Sequence, residues 1–118
     1  MKPLIAAAAL TLAGAAAAQE VASAPGAILR ALDKVSGVTE DIALASGQSQ
    51  VFGRLEVTVD DCRYPVDDPA SNAFAHLTII DRRQGKAEFD GWMVAASPAL
   101  SALDDPRYDV WLLRCKSN

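Results

Sequence analysis

His76 is the only histidine in the 118-residue chain, and an unperturbed pKa near about 6.5 makes it the first residue to weigh for acid–base work. It stands between Ala75 and Leu77 in an alternating, strand-like stretch, away from the loops where reactive groups collect. No Gly-x-Ser-x-Gly turn accompanies it, so it lacks the exposed serine that such an elbow presents. His76 therefore reads as a hydrogen-bonded structural residue, with a small hydrolase pairing His76 and an aspartate as the alternative. Three carboxylate pairs, Asp60-Asp61, Asp67-Asp68 and Asp104-Asp105, are the second source of chemistry. Converging loops of this kind hold calcium through roughly six to eight oxygens. EF-hand spacing is absent, and acidic loop residues usually cap turns or face water. A calcium-stabilised structural protein is thus a further alternative, and no cofactor is expected.

The third candidates are Cys62 and Cys115, whose meaning depends on the compartment, and the N-terminus bears on that. Met1-Lys2-Pro3 is basic, Leu4 to Ala18 is uncharged and rich in alanine and leucine, and Ala16-Ala17-Ala18 offers small residues at a cleavage point. These are the parts of a secretory signal, predicting residues 1–18 as a signal peptide cut before Gln19. The apolar stretch is shorter than the roughly 20 residues of a permanent membrane helix, so no transmembrane segment is expected after cleavage. The predicted location is periplasmic or secreted. In an oxidising space an isolated cysteine pair is most often a structural disulfide. Closing a loop of that length stabilises a fold by roughly 4 kcal/mol in the chain-entropy model. A redox pair is usually Cys-x-x-Cys, and structural zinc needs four nitrogen or sulfur ligands, which two distant cysteines and one histidine do not supply.

The elements that must position these residues follow from periodicity. Residues 19–26 read as a flexible lead-in broken by Pro25-Gly26, and 27–118 as a single β-rich domain. Ala27 to Lys34 fits a strand or a short helix, Ser36-Gly37 a turn and Val38 to Leu44 a strand, together an opening hairpin. Val51 to Asp60 alternates with period two, which a helix cannot satisfy, and Gly53 within it suggests a bulge or a close backbone approach. A long loop follows from Asp61 to Asn72. Phe74 to Asp81, apolar on both faces, reads as a central strand. Lys86 to Ala95 returns after a turn, Ser97-Pro98 opens a short helix, and Tyr108 to Cys115 is the last strand, with Trp111, Leu113 and Cys115 on one face. Trp92 and Trp111 are expected as core or half-buried strand residues. About six strands and one helical turn predict an all-β fold, a small antiparallel sandwich or barrel stapled by one disulfide.

A formal charge of −4 disfavours phosphate backbones, so no nucleic-acid partner is expected. Phe52-Gly53-Arg54-Leu55, Val59-Asp60-Asp61-Cys62-Arg63-Tyr64-Pro65, Gly91-Trp92-Met93, Ser97-Pro98-Ala99-Leu100 and Pro106-Arg107-Tyr108-Asp109-Val110-Trp111 with Leu113, Arg114 and Cys115 resemble a family of small secreted bacterial proteins, domain of unknown function 2155. The resemblance spans about Leu29 to Cys115. It implies export and carries no activity or active site onto these residues. The leading functional expectation is a non-enzymatic binding or interaction module, an envelope accessory factor with an envelope protein or complex as partner. The expected surface comprises Arg63, Tyr64 and Asp67 of the loop, Trp92, Arg107 and Tyr108, and Arg114. A Cys62–Cys115 bridge is expected to bring Arg63 and Arg114 together as a receptor for carboxylate or phosphate, against the plainer expectation that they pair with neighbouring aspartates.

Overall fold

The computed structural model describes residues 19–117, so the predicted signal peptide lies outside the described residues. Alternation of apolar and polar residues sends eight segments into strands: β1 (Val21–Ser23), β2 (Gly26–Asp33), β3 (Thr39–Ala45), β4 (Ser49–Phe52), β5 (Leu55–Pro65), β6 (Phe74–Asp81), β7 (Lys86–Val94) and β8 (Tyr108–Lys116). A single 3-10 turn, Pro98–Leu100, follows β7, and Ser97 makes no side-chain cap to it. The first sheet runs β1-β5-β6-β7, with β4 also paired to β5, and the second runs β3-β2-β8. All pairs are antiparallel. The two sheets are open and face each other as a sandwich, which decides between the two all-β architectures expected.

The inward rows form one core. Leu55, Val57 and Val59 of β5, Ala75, Leu77 and Ile79 of β6, Leu29 and Ala31 of β2, Ile42 of β3 and Val110 and Leu112 of β8 are all essentially buried. Each large side chain buried this way contributes about 1.5–3 kcal/mol. Among the described residues, no helix is long and apolar enough to cross a membrane.

Several boundaries differ from expectation, each for a local reason. Val21–Ser23 is no flexible lead-in but a strand paired with Arg63–Pro65, and Ala24 beyond it donates its amide to the Cys62 carbonyl at 2.7 Å. The expected single strand from Val51 is a hairpin, because Phe52 pairs with Leu55 across Gly53-Arg54. Gly53 has φ 58° and, among the described residues, no non-glycine residue has a positive φ, the pattern of a two-residue turn with glycine first. β5 then continues through Cys62 to Pro65, so the long loop shrinks to residues 66–73.

Register shifts place the cysteines. In β5 the ladder slips between Val59 and Asp61, which turns Cys62 inward where unbroken alternation would turn it out. In β8 it slips opposite Ile28/Leu29, leaving Leu113 without a partner, and Cys115 turns inward instead of sharing the face of Trp111. The two meet as a disulfide with Cα atoms 5.7 Å apart, joining one sheet to the other.

Candidate interaction surfaces

The residues singled out in the sequence fall into three places. On the outer face of the first sheet, the pairing Asp61↔His76↔Trp92 sets three side chains in a row across β5, β6 and β7. Arg63, one step along, reaches back so that its guanidinium lies 4.9 Å from the Trp92 ring centroid, a cation–π contact. It is oriented by Asp61, 2.8 Å away. The His76 ring meets Trp92 edge-on, with centroids 5.3 Å apart. Trp92 is 39% exposed, so it is a surface residue and not part of the core. Arg63, Trp92, Phe74 and Val21 line a shallow depression of about 260 Å³.

His76 is well held. Its Nδ1 is 2.8 Å from Asp60 Oδ2, the oxygen that also accepts from Thr78 Oγ1 at 2.7 Å, and Nε2 is 3.4 Å from Asp90. The expected histidine–aspartate pair exists, yet the geometry does not favour a hydrolase. Both ring nitrogens face carboxylates, the Thr78 hydroxyl is committed to Asp60, and both cysteines are bridged, so among the described residues no free nucleophile bonds to the imidazole. The calcium alternative fares no better. Asp60 binds His76, Asp61 binds Arg63 and Asp105 binds backbone amides. Among the described residues, no three acidic, histidine or cysteine side chains converge on a common point.

Tyr64 and Arg114 belong to a second place, a groove of about 690 Å³ at the disulfide end of the sandwich. It runs between the end of β8, the loop segment Pro69–Asn72 and Ala95-Ala96. Asn72 fixes that wall, accepting the amides of Ala73 and Ala96 at 2.9 and 3.0 Å. Asp67 lies exposed on the same loop. The disulfide does not make an arginine pair. A residue beside an inward cysteine points outward, and the two sheets have opposite outer faces, so Arg63 goes to Trp92 while Arg114 stands near Asp41 on β3. The plainer expectation of pairing with a neighbouring aspartate holds for Arg63.

Arg107 and Tyr108 lie at the far end of β8, about 23 Å from Cys115 at strand rise. Tyr108 is buried, so it is a core residue and not a surface one. Arg54 and Arg107 both lie 5.3 Å from its ring centroid. Arg107 grips Asp33 through Nε and Nη2, the latter at 3.0 Å, holding that carboxyl well below the usual range. Sequence reasoning singled out Asp105 only as half of a loop carboxylate pair and missed Asp33 and Glu88. Burial pushes the Asp105 carboxyl up, but the amides of Tyr108 and Arg107 bring it below its usual value overall. Glu88 sits in the register shift between β6 and β7, with Oε2 buried and lacking a hydrogen-bond partner. Burial, then the neighbouring Asp105 and Asp81 carboxylates, push its pKa up to about 7. Only the fold creates this signal, because Glu88 stands alone in sequence.

The family profile described as an uncharacterized protein conserved in bacteria, DUF2155, matches residues 27–115. The chain belongs to that family. Among curated proteins, the DUF2155 chain is similar to the uncharacterized protein RP359 of Rickettsia prowazekii (strain Madrid E), 27% identical over 88 residues. The match covers 72% of this chain and 57% of the relative, so the chain spans little more than half the relative's length. No solved structure matches it. The DUF2155 match takes in Arg63, Trp92, Tyr64, Arg114 and both cysteines, while Val21 of the depression and Lys116 and Ser117 of the groove fall outside it.

Proposed function

We propose that this chain is an exported, non-enzymatic binding module that docks an envelope protein or complex through the outer face of its first sheet. One observation carries the reading: an arginine stacked on a half-open tryptophan, braced by Asp61 and by the His76 ring. Tryptophan and arginine are the residue types that dominate interface energetics, and this pair is held in place before any partner arrives. A preorganised side chain loses less entropy on binding. Export is supported by the predicted signal peptide and by a disulfide, which persists in oxidising compartments.

The test is binding by the oxidised protein to envelope extract, comparing the native chain with Trp92→Ala and Arg63→Ala. A specific partner should be lost by at least about tenfold in affinity with either change, the usual scale for an interface anchor. A variant on the opposite outer face, Arg30→Ala, should retain it. Partners recovered equally by all variants would remove the proposal. Export is checked separately by the N-terminus of the periplasmic protein, expected at Gln19.

A further inference from the structure

β8 is the last strand of the second sheet, bonded to β2 on one side and, among the described residues, to no strand on the other. Its second half borders the groove. Leu113, Arg114, Cys115, Lys116 and Ser117 all line it, and five consecutive residues cannot do so through one face of a strand, whose side chains alternate. The groove therefore meets the end of the strand through its backbone as well as its side chains, and β8's free edge there carries alternate N–H and C=O groups that point outward. Among the described residues, no loop amide or carbonyl bonds to this edge. The opposite walls, Pro69–Asn72 and Ala95-Ala96, are small and largely apolar, and Asn72 ties them to each other.

The charge of the groove is opposite to that of the molecule. Among the described residues its lining holds Arg114 and Lys116 and no carboxylate side chain, in a chain of formal charge −4. Neither cation forms an ion pair among the described residues, and the nearby Asp41 is already held by the two-point contact with Arg30, at 2.7 and 3.0 Å. A volume of about 690 Å³ falls in the range of roughly 300–1,000 Å³ that ligand sites occupy.

We propose that this groove binds an extended peptide carrying carboxylate side chains, which adds to β8 as a fourth strand of the second sheet. Backbone bonding to the open edge supplies affinity, as in other strand-addition complexes. Arg114 and Lys116 select acidic over basic sequences, and the small walls accept short apolar side chains between the acids. The site is separate from the Arg63–Trp92 face and stands or falls independently of it.

The probe is a capped hexapeptide alternating glutamate and valine, titrated into the oxidised, 15N-labelled protein and followed by amide chemical shifts. Shifts are expected at Leu113 to Ser117, Asn72 and Ala96, with the glutamate peptide binding about tenfold more tightly than its lysine counterpart. Methylating alternate peptide nitrogens should abolish binding, because an N-methyl amide cannot donate to the edge. Arg114→Glu with Lys116→Glu should reverse the charge preference, and the milder Arg114→Gln with Lys116→Gln should erase it, each with the disulfide and spectrum intact. Shifts confined to Val21, Phe74 and Trp92 would overturn the proposal, as would no shift at millimolar peptide. Equal binding by the methylated peptide would overturn strand addition in favour of a simple anion site.

Discussion

At residue scale, Gly53 carries more constraint than its size suggests. Its φ of 58° is one that L side chains adopt at a cost of roughly 1 kcal/mol or more, and a Cβ there would run into the Tyr108 hydroxyl. The Arg54 amide donates to that same hydroxyl at 3.3 Å. Gly53→Ala should therefore lower stability by about 2–3 kcal/mol, read by denaturant unfolding, and Tyr108 should lose near-ultraviolet dichroism. Trp92→Ala on the open face should cost about 1 kcal/mol or less, so that loss of binding in that variant reports the surface and not the fold. Glu88 is the other sensitive residue. Its folded pKa of about 7 exceeds its unfolded value, so the folded state holds the extra proton. That contribution is complete below the unfolded pKa and is lost as pH rises through about 7. Glu88→Gln should flatten this alkaline limb, and Tm measured across that range should fall less with pH in the variant.

At the scale of elements, the bridge between β5 and β8 is the strongest single tie. With the cysteines 53 positions apart, replacing both with serine should remove roughly 4 kcal/mol in the chain-entropy model, measured by urea midpoint against the oxidised protein. The strands themselves were legible where alternation is clean. β6 shows apolar residues on both faces because neighbours cover it on both sides, and the inward row of β5 is readable as Leu55, Val57 and Val59. The pairing of Cys62 with Cys115 was legible from compartment and count. Their geometry was not. An inserted residue leaves composition unchanged but reverses every face beyond it, so Cys115 reads as the companion of Trp111 until the shift at Leu113 is seen. The meeting of Arg63 with Trp92 was hidden for a related reason, since it depends on the register of three strands. Tyr108 was grouped with Arg107 in the expected surface, whereas packing between two guanidinium groups allows it to be buried.

At the scale of the molecule, the acids gathered at the Arg107 end of the sandwich titrate in opposite senses. Asp33, held low by Arg107, and Asp105, brought down by backbone amides, have folded pKa values below their unfolded ones. Their contributions are present above the unfolded carboxylate range and are lost as pH falls through the lower folded values. Glu88 contributes in the reverse direction, losing its share as pH rises through about 7. Stability should thus peak on the acid side of neutrality, with Asp33→Asn blunting the acid limb and Glu88→Gln the other. A Tm profile that keeps rising through pH 8 would contradict this assignment.

The order of strands in the second sheet has a consequence in time. β2 forms early in the chain but lies between β3 and β8, and Gly26 pairs with Lys116, 90 positions later in the sequence. Such distant pairing makes folding slow, on the order of milliseconds to seconds for all-β domains. The central strand of that sheet keeps one side unbonded until the final strand emerges, and the disulfide cannot close before then. A chain emerging N-terminus first through a narrow translocation pore would therefore stay unlocked for the whole passage and close only once its last strand was across.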